Sequence, residues 1–177
     1  MTTMTIDEEL AEARGRIARL RALERASDGA ERLRIRRHLD VMHRKEASVR
    51  EAVRYAPDEV AERLGDLRTR LYVAEHSVAA DLSDDWATYV LAVEEELRRW
   101  DDYLERLQTS AATHAWKARE RAEAAIADIR TQRIAVYDRL AHARDNVNGA
   151  WHEQRNHVSL ARDELEQKAD ELSAKIK

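Results

Sequence analysis

Seven histidines in a chain dense with carboxylates make a metal centre the first chemistry to consider. Carboxylate-bridged di-iron bundles use Glu-x-x-His, because residues three apart share one face of a helix. No histidine here has a glutamate three residues before it, and the nearest case is a single Asp40-Val-Met-His43. His152-Glu153 followed by His157 imitates the zinc-protease helix but is one residue too long. A spacing of five sets the two rings about 140° apart on a helix of 3.6 residues per turn, where a spacing of four keeps them together. His38 and His43 fail in the same way. Neither a metal site nor a cofactor is expected.

Nucleophilic and nucleotide chemistry fare no better. Cysteine is absent, which removes thiol nucleophiles, thiolate metal sites and disulfides together. Gly15, Gly29, Gly65 and Gly149 are far apart, so no glycine loop can cradle a phosphate, and no serine stands in a G-x-S-x-G elbow. Glu94-Glu95-Glu96 and Asp101-Asp102 supply carboxylates, but in a helical context that solvates them. Glu94 with Arg98, and Glu95 with Arg99, are stabilising i,i+4 pairs. Catalytic acids need burial that shifts their pKa, and nothing in the sequence points to it. The expectation is a protein that is not an enzyme.

The most eventful local feature is a basic run: Arg32, Arg34, Arg36, Arg37, Arg44 and Lys45, with His38 and His43 interspersed and Asp40 the one acid among them. It reads as a candidate contact for an anion or a partner, such as the phosphates of nucleic acid or an anionic lipid surface. The competing reading, which is preferred, is internal pairing with a stretch near residues 68–82, in the neighbourhood of Glu75, Asp81, Asp84 and Asp85. No aromatic residues interleave with these arginines to stack on bases, and the net charge is −4, so sequence-specific nucleic-acid binding is not expected. His114 and the tryptophans Trp86, Trp100, Trp116 and Trp151 are read as core or interface residues.

The elements that must position these groups are helices. Trp86, Val90, Val93, Leu97, Trp100, Leu104, Leu107, Ala111, His114 and Ala118 recur in alternating steps of four and three, the seven-residue repeat of helices packed side by side. Four glycines, one proline and 37% charged residues fit long helices, whose interiors tolerate Gly and Pro worst. Breaks are marked at Ser27-Asp28-Gly29, where Asp28 and Glu31 have capping-box spacing, and at Ala56-Pro57, since proline suits the first helical turn. Further breaks fall at Ser83-Asp84, read as an N-cap, and at Asn146-Val147-Asn148-Gly149, read as a turn.

The pattern predicts an all-α fold, a single domain over 1–177 forming an elongated antiparallel bundle of three long helices with coiled-coil-like packing. The helices are placed near 6–55, 57–107 and 111–176, the first two interrupted at residues 28 and 84. These interruptions lie about equally far from Pro57 and would sit side by side if the chain folds back there as a hairpin. A second architecture has one long central helix from 85 to about 145.

The leading functional expectation is an adaptor, spacer or assembly subunit with protein partners, homo-oligomeric through apolar residues on more than one face, such as Leu23, Leu33 and Val41. Membrane insertion is not expected, because the longest apolar run, Tyr89 to Val93, is far short of the ~20 residues a span requires. The acidic start Met1–Leu10 has no apolar signal core, and a cytoplasmic location is expected. The alternative is a reversible amphipathic-helix binder of lipid or anionic surfaces. That alternative rests on composition over most of the chain, which is similar to that of exchangeable apolipoproteins, with no specific motif behind it.

Overall fold

The computed structural model describes residues 5–112, 116–145 and 151–175. Among them are six α-helices and no strand: α1 (Ile6–Ala26), α2 (Gly29–Tyr55), α3 (Val60–Asp81), α4 (Trp86–Ala111), α5 (Trp116–Asp145) and α6 (Trp151–Lys175), with a 3-10 turn at Pro57–Glu59 before α3. The chain forms two compact units, Met1–Arg99 and Trp100–Lys177, and α4 contributes to both. No described helix is long and apolar enough to cross a membrane.

In the first unit, α1 opens with a capping box that the sequence reading overlooked. The Thr5 hydroxyl accepts from the Glu8 backbone N–H (3.3 Å), and the Glu8 carboxylate accepts from the Thr5 N–H (2.7 Å). Two of the helix's orphan donors are satisfied reciprocally. Leu10, Ala13, Ile17 and Leu20, in steps of three and four, form its buried stripe.

At Ser27 and Asp28 the backbone becomes extended, and Gly29 follows at φ 53°, a left-handed conformation that glycine adopts without strain. Asp28 occupies the N-cap position, but its side chain makes no capping bond. The chain reverses here instead of kinking. Arg14 meets Glu46, Arg21 meets His43, and Glu24 meets Arg32 and Arg36, partners whose numbers rise on one helix as they fall on the other. The single helix predicted over 6–55 is therefore an antiparallel pair. Leu23 and Leu33 flank the reversal and are exposed, whereas Val41, expected with them on an uncovered face, is buried beside Ile35, Leu39, Met42 and Val49.

Pro57 makes the second reversal. Ala56 is held out of helical geometry (φ −143°, ψ 67°), as the residue before a proline generally is. Arg63 then donates to Ser48, and Lys45 and Arg34 pair with Asp66 and Asp81, so α3 runs antiparallel to α2. This register brings the breaks near 28 and 84 to matching levels, as expected. Parallel contacts of α1 with α3, Glu9 with Arg68 and Arg16 with Glu75, close an up–down–up bundle. Its core includes Ile17, Leu20, Ile35, Met42, Leu67 and Leu71.

The interruption near 84 is a reversal too. The N-cap of α4 is Asp85, not Ser83 or Asp84: its carboxylate accepts from the Thr88 backbone N–H at 2.9 Å, while the Ser83 hydroxyl donates to the Ala79 carbonyl. His76 then faces Glu95, and Tyr72 faces Arg99, so the start of α4 runs antiparallel to α3. The stripe is borne out from Val90 through Ala111, where every member is buried. Trp86 is half-buried, Ala118 is exposed, and His114 lies outside the described residues.

In the second unit, Asp101 pairs with Arg133 and Gln108 accepts from Arg130, placing α5 antiparallel to the end of α4. This excludes a continuous helix from 85 to 145. Gln132 meets Glu164 and Asp128 meets Lys168, so α6 reverses again. The helix predicted over 111–176 is thus also two helices; the turn expected at 146–149 lies outside the described residues. All three corrections share one cause. A break of a few residues carries the same local signals whether the chain bends or doubles back, and a seven-residue apolar period is kept by both.

Candidate functional site

The basic run does not form one patch. Helical geometry divides it, because Arg32 and Arg36 lie four residues apart on one side of α2 while Arg34 lies on another. Arg32 and Arg36 both bond the Glu24 carboxylate, at 3.1 and 2.9 Å, and these hydrogen bonds hold Glu24 below the usual carboxylate range. Arg34 lies 3.6 Å from the buried Asp81. Lys45 is itself buried and bonds Asp66 at 2.5 Å. Arg37 and Arg44 are exposed. Of the acids expected opposite the run, Asp81 is used, whereas Glu75 is taken by Arg16 and Asp85 by the cap of α4.

A different set of cations converges. Between α1 and α2 an open groove of about 390 Å³ is lined by Arg14, Ile17, Ala18, Arg21, His43, Glu46, Ala47 and Arg50. Arg14 and Arg21 are one heptad apart on α1, and His43 and Arg50 are one heptad apart on α2. The antiparallel register sets Arg14 across from Arg50 and Arg21 across from His43. Glu46 Oε1 accepts from Arg14 Nε at 2.7 Å and also from Arg50. Arg21 Nη2 lies 2.7 Å from His43 Nε2. A guanidinium can only donate, so Nε2 is the acceptor in this contact. Burial works against ionising Glu46, but the bonds from Arg14 and Arg50 outweigh it and keep the carboxyl below its ordinary range.

Charge in this groove is unbalanced. Three guanidiniums, each with five N–H donors, line it with a single carboxylate that is only 10% exposed, while Arg14 and Arg50 are 50% and 55% exposed. The remaining donors face solvent. None of Arg14, Arg21 and Arg50 belongs to the basic run. Their seven-residue spacing was visible, but nothing local indicates that the two pairs face each other.

A second charged cluster joins α1, α3 and the start of α4. Arg16 makes a bidentate pair with Glu75 (2.8 and 2.6 Å) and lies 4.0 Å over the Tyr72 ring, with the Arg99 guanidinium 4.9 Å from the same ring. Burial disfavours the Arg16 cation, yet its bonds and charge contact with Glu75 raise its pKa overall. Glu95 accepts from Arg98 and Arg99 and lies 3.8 Å from His76. The Arg98 bond is the chief cause of its carboxyl being held at about 2. Burial pushes the His76 imidazole below its usual value.

Both shifts oppose folding in acid. His76 titrates lower when folded than when unfolded, so its loss of stability begins as pH falls through about 6.5. Glu95 contributes fully above about 4.5 and is lost progressively as pH falls toward about 2. Urea midpoints measured from pH 7.5 to 2.5 are expected to fall in two stages. His76→Asn should remove much of the upper stage and Glu95→Gln part of the lower, which Glu24 and Glu46 share. Midpoints of Glu95→Gln that track the unmodified protein between pH 4.5 and 2.5 would refute the assignment.

Among the described residues no group of three or more His, Asp or Glu is placed to hold a metal ion. Comparison of the chain with protein-family models, with curated proteins and with solved structures gave no match.

Proposed function

We propose that the protein is a non-enzymatic interaction protein, an adaptor or assembly subunit, whose working surface is the groove between α1 and α2. The observation that carries this reading is the excess of exposed guanidinium over carboxylate in an open groove between two helices. A lipid-binding role is less favoured, because the apolar stripes are already committed to helix–helix burial and opening them would sacrifice many core contacts at once.

The reading is tested by placing a photo-crosslinking residue at Ala47, in the groove, or at Ala30, exposed on another face of α2, and irradiating cells of the source organism. Discrete protein adducts are expected at Ala47, absent at Ala30, and lost when Arg14, Arg21 and Arg50 are changed to Glu. Equal adducts at both sites, or none at Ala47, would overturn it.

A further inference from the structure

We infer that the α1/α2 groove receives an acidic helix of a partner protein, laid along the groove with carboxylates one heptad apart. The inference rests on the docking role just proposed and names the chemistry of the partner.

The spacing of the cations supports it. Arg14 with Arg50 forms one cationic row, and Arg21 beside His43 places a further guanidinium seven residues along, which is ~10.5 Å along a helix rising 1.5 Å per residue. A single phosphate or carboxylate engages one of these and leaves the other in water. Carboxylates at i and i+7 on an incoming helix recur at the same ~10.5 Å and engage both.

The floor fits a helix as well. Ile17 is buried, and Ala18 and Ala47 are exposed but small, so a backbone can come close while its longer side chains reach the flanking guanidiniums. Glu46 uses one donor from Arg14 and one from Arg50, leaving both able to bridge to a second carboxylate.

Elsewhere in the unit α4 meets α3, where Glu95 faces His76, and Arg99 shares the Tyr72 ring with Arg16 of α1. No described helix of this unit gives the α1/α2 groove comparable cover, for Ala18, Arg21, His43, Ala47 and Arg50 are all exposed.

The test uses the full chain and synthetic helical peptides in fluorescence anisotropy. One peptide carries Glu at i, i+3, i+7 and i+10 along an alanine–leucine face. A second has the same composition with the glutamates dispersed around the helix, and inorganic polyphosphate is titrated separately. The matched peptide is expected to bind at least tenfold more tightly than the dispersed one and to weaken steeply with added salt. Arg14→Glu with Arg50→Glu should weaken it at least tenfold. Arg21→Glu, which leaves Glu46 with both of its partners, should weaken it about fivefold, with melting temperatures followed to show that the variants remain folded.

Equal binding of the two peptides, or no binding of the matched one at low salt, would overturn the acidic-helix partner. So would polyphosphate that binds more tightly than the matched peptide, which would make the groove a phosphate site. Adducts retained at Ala47 in cells alongside such a failure would leave the docking role standing and remove only this partner chemistry.

Discussion

Replacing Trp100 by alanine is expected to lower the unfolding free energy by ~3–5 kcal/mol, the range for deleting a fully buried large aromatic side chain. Trp100 has no exposed surface and packs edge-on against Tyr103, ring centres 5.7 Å apart. Close-packed interiors relax only partly around a deletion of this size, so a cavity term adds to the lost transfer energy. For a chain of this length the loss corresponds to a melting point roughly ten degrees lower. Trp86, half-buried and stacked on Tyr89, serves as the internal comparison, and its alanine variant should lose less than half as much. Guanidinium denaturation of both variants decides the matter. A Trp100→Ala protein no less stable than Trp86→Ala would mean that the stripe residue is not the anchor its burial implies.

That comparison rests on the part of the fold most legible in the sequence. The period running from Val90 to Ala111 is enough to place Trp100 on the buried side of α4 without any tertiary knowledge, because burial of one helical face is a local property of the pattern. The breakpoints were legible as positions but not as directions. Gly29, Pro57 and the Asp84-Asp85 pair each weaken a helix for reasons internal to a few residues. Whether the chain then bends or returns depends on which faces meet afterwards.

The candidate groove was less legible still. Arg14 and Arg50 are separated by most of two helices, and they converge on Glu46 only in the antiparallel register that the reversal at Gly29 creates. The basic run drew attention because its charges are neighbours in sequence. On a helix, sequence neighbours point in different directions, and most of these found carboxylates on α1 or α3. Buried charge was the hardest feature to foresee. Arg16, three residues after Ala13 and four before Leu20, borders the apolar stripe of α1, but nothing local indicates that Tyr72 and Glu75 enclose its charge.

That enclosure carries the second large effect. Glu75→Ala is expected to destabilise by about 3 kcal/mol, whereas Arg16→Met should cost about 1–2 kcal/mol, because removing one partner of a buried pair is penalised by the charge left behind. The two partners are unequally buried: Arg16 is 5% exposed and Glu75 28%. A carboxylate deprived of Arg16 can rehydrate at the surface, while a guanidinium deprived of Glu75 stays beneath it, with the Tyr72 ring and the weaker charge contact of Glu12. Methionine keeps much of the apolar stem that packs along α3 and places no charge there. Contact with the Tyr72 ring at 4.0 Å offsets part of the loss in Glu75→Ala, since a cation over an aromatic face is favoured. The double variant Arg16→Met with Glu75→Leu should therefore recover most of the stability lost in Glu75→Ala, as apolar replacements of buried pairs often do. Urea denaturation at pH 7 of the three variants measures the asymmetry. If Arg16→Met proved the more damaging single change, packing of the arginine stem and its stack on Tyr72 would outweigh its charge, and the double variant would then show no recovery.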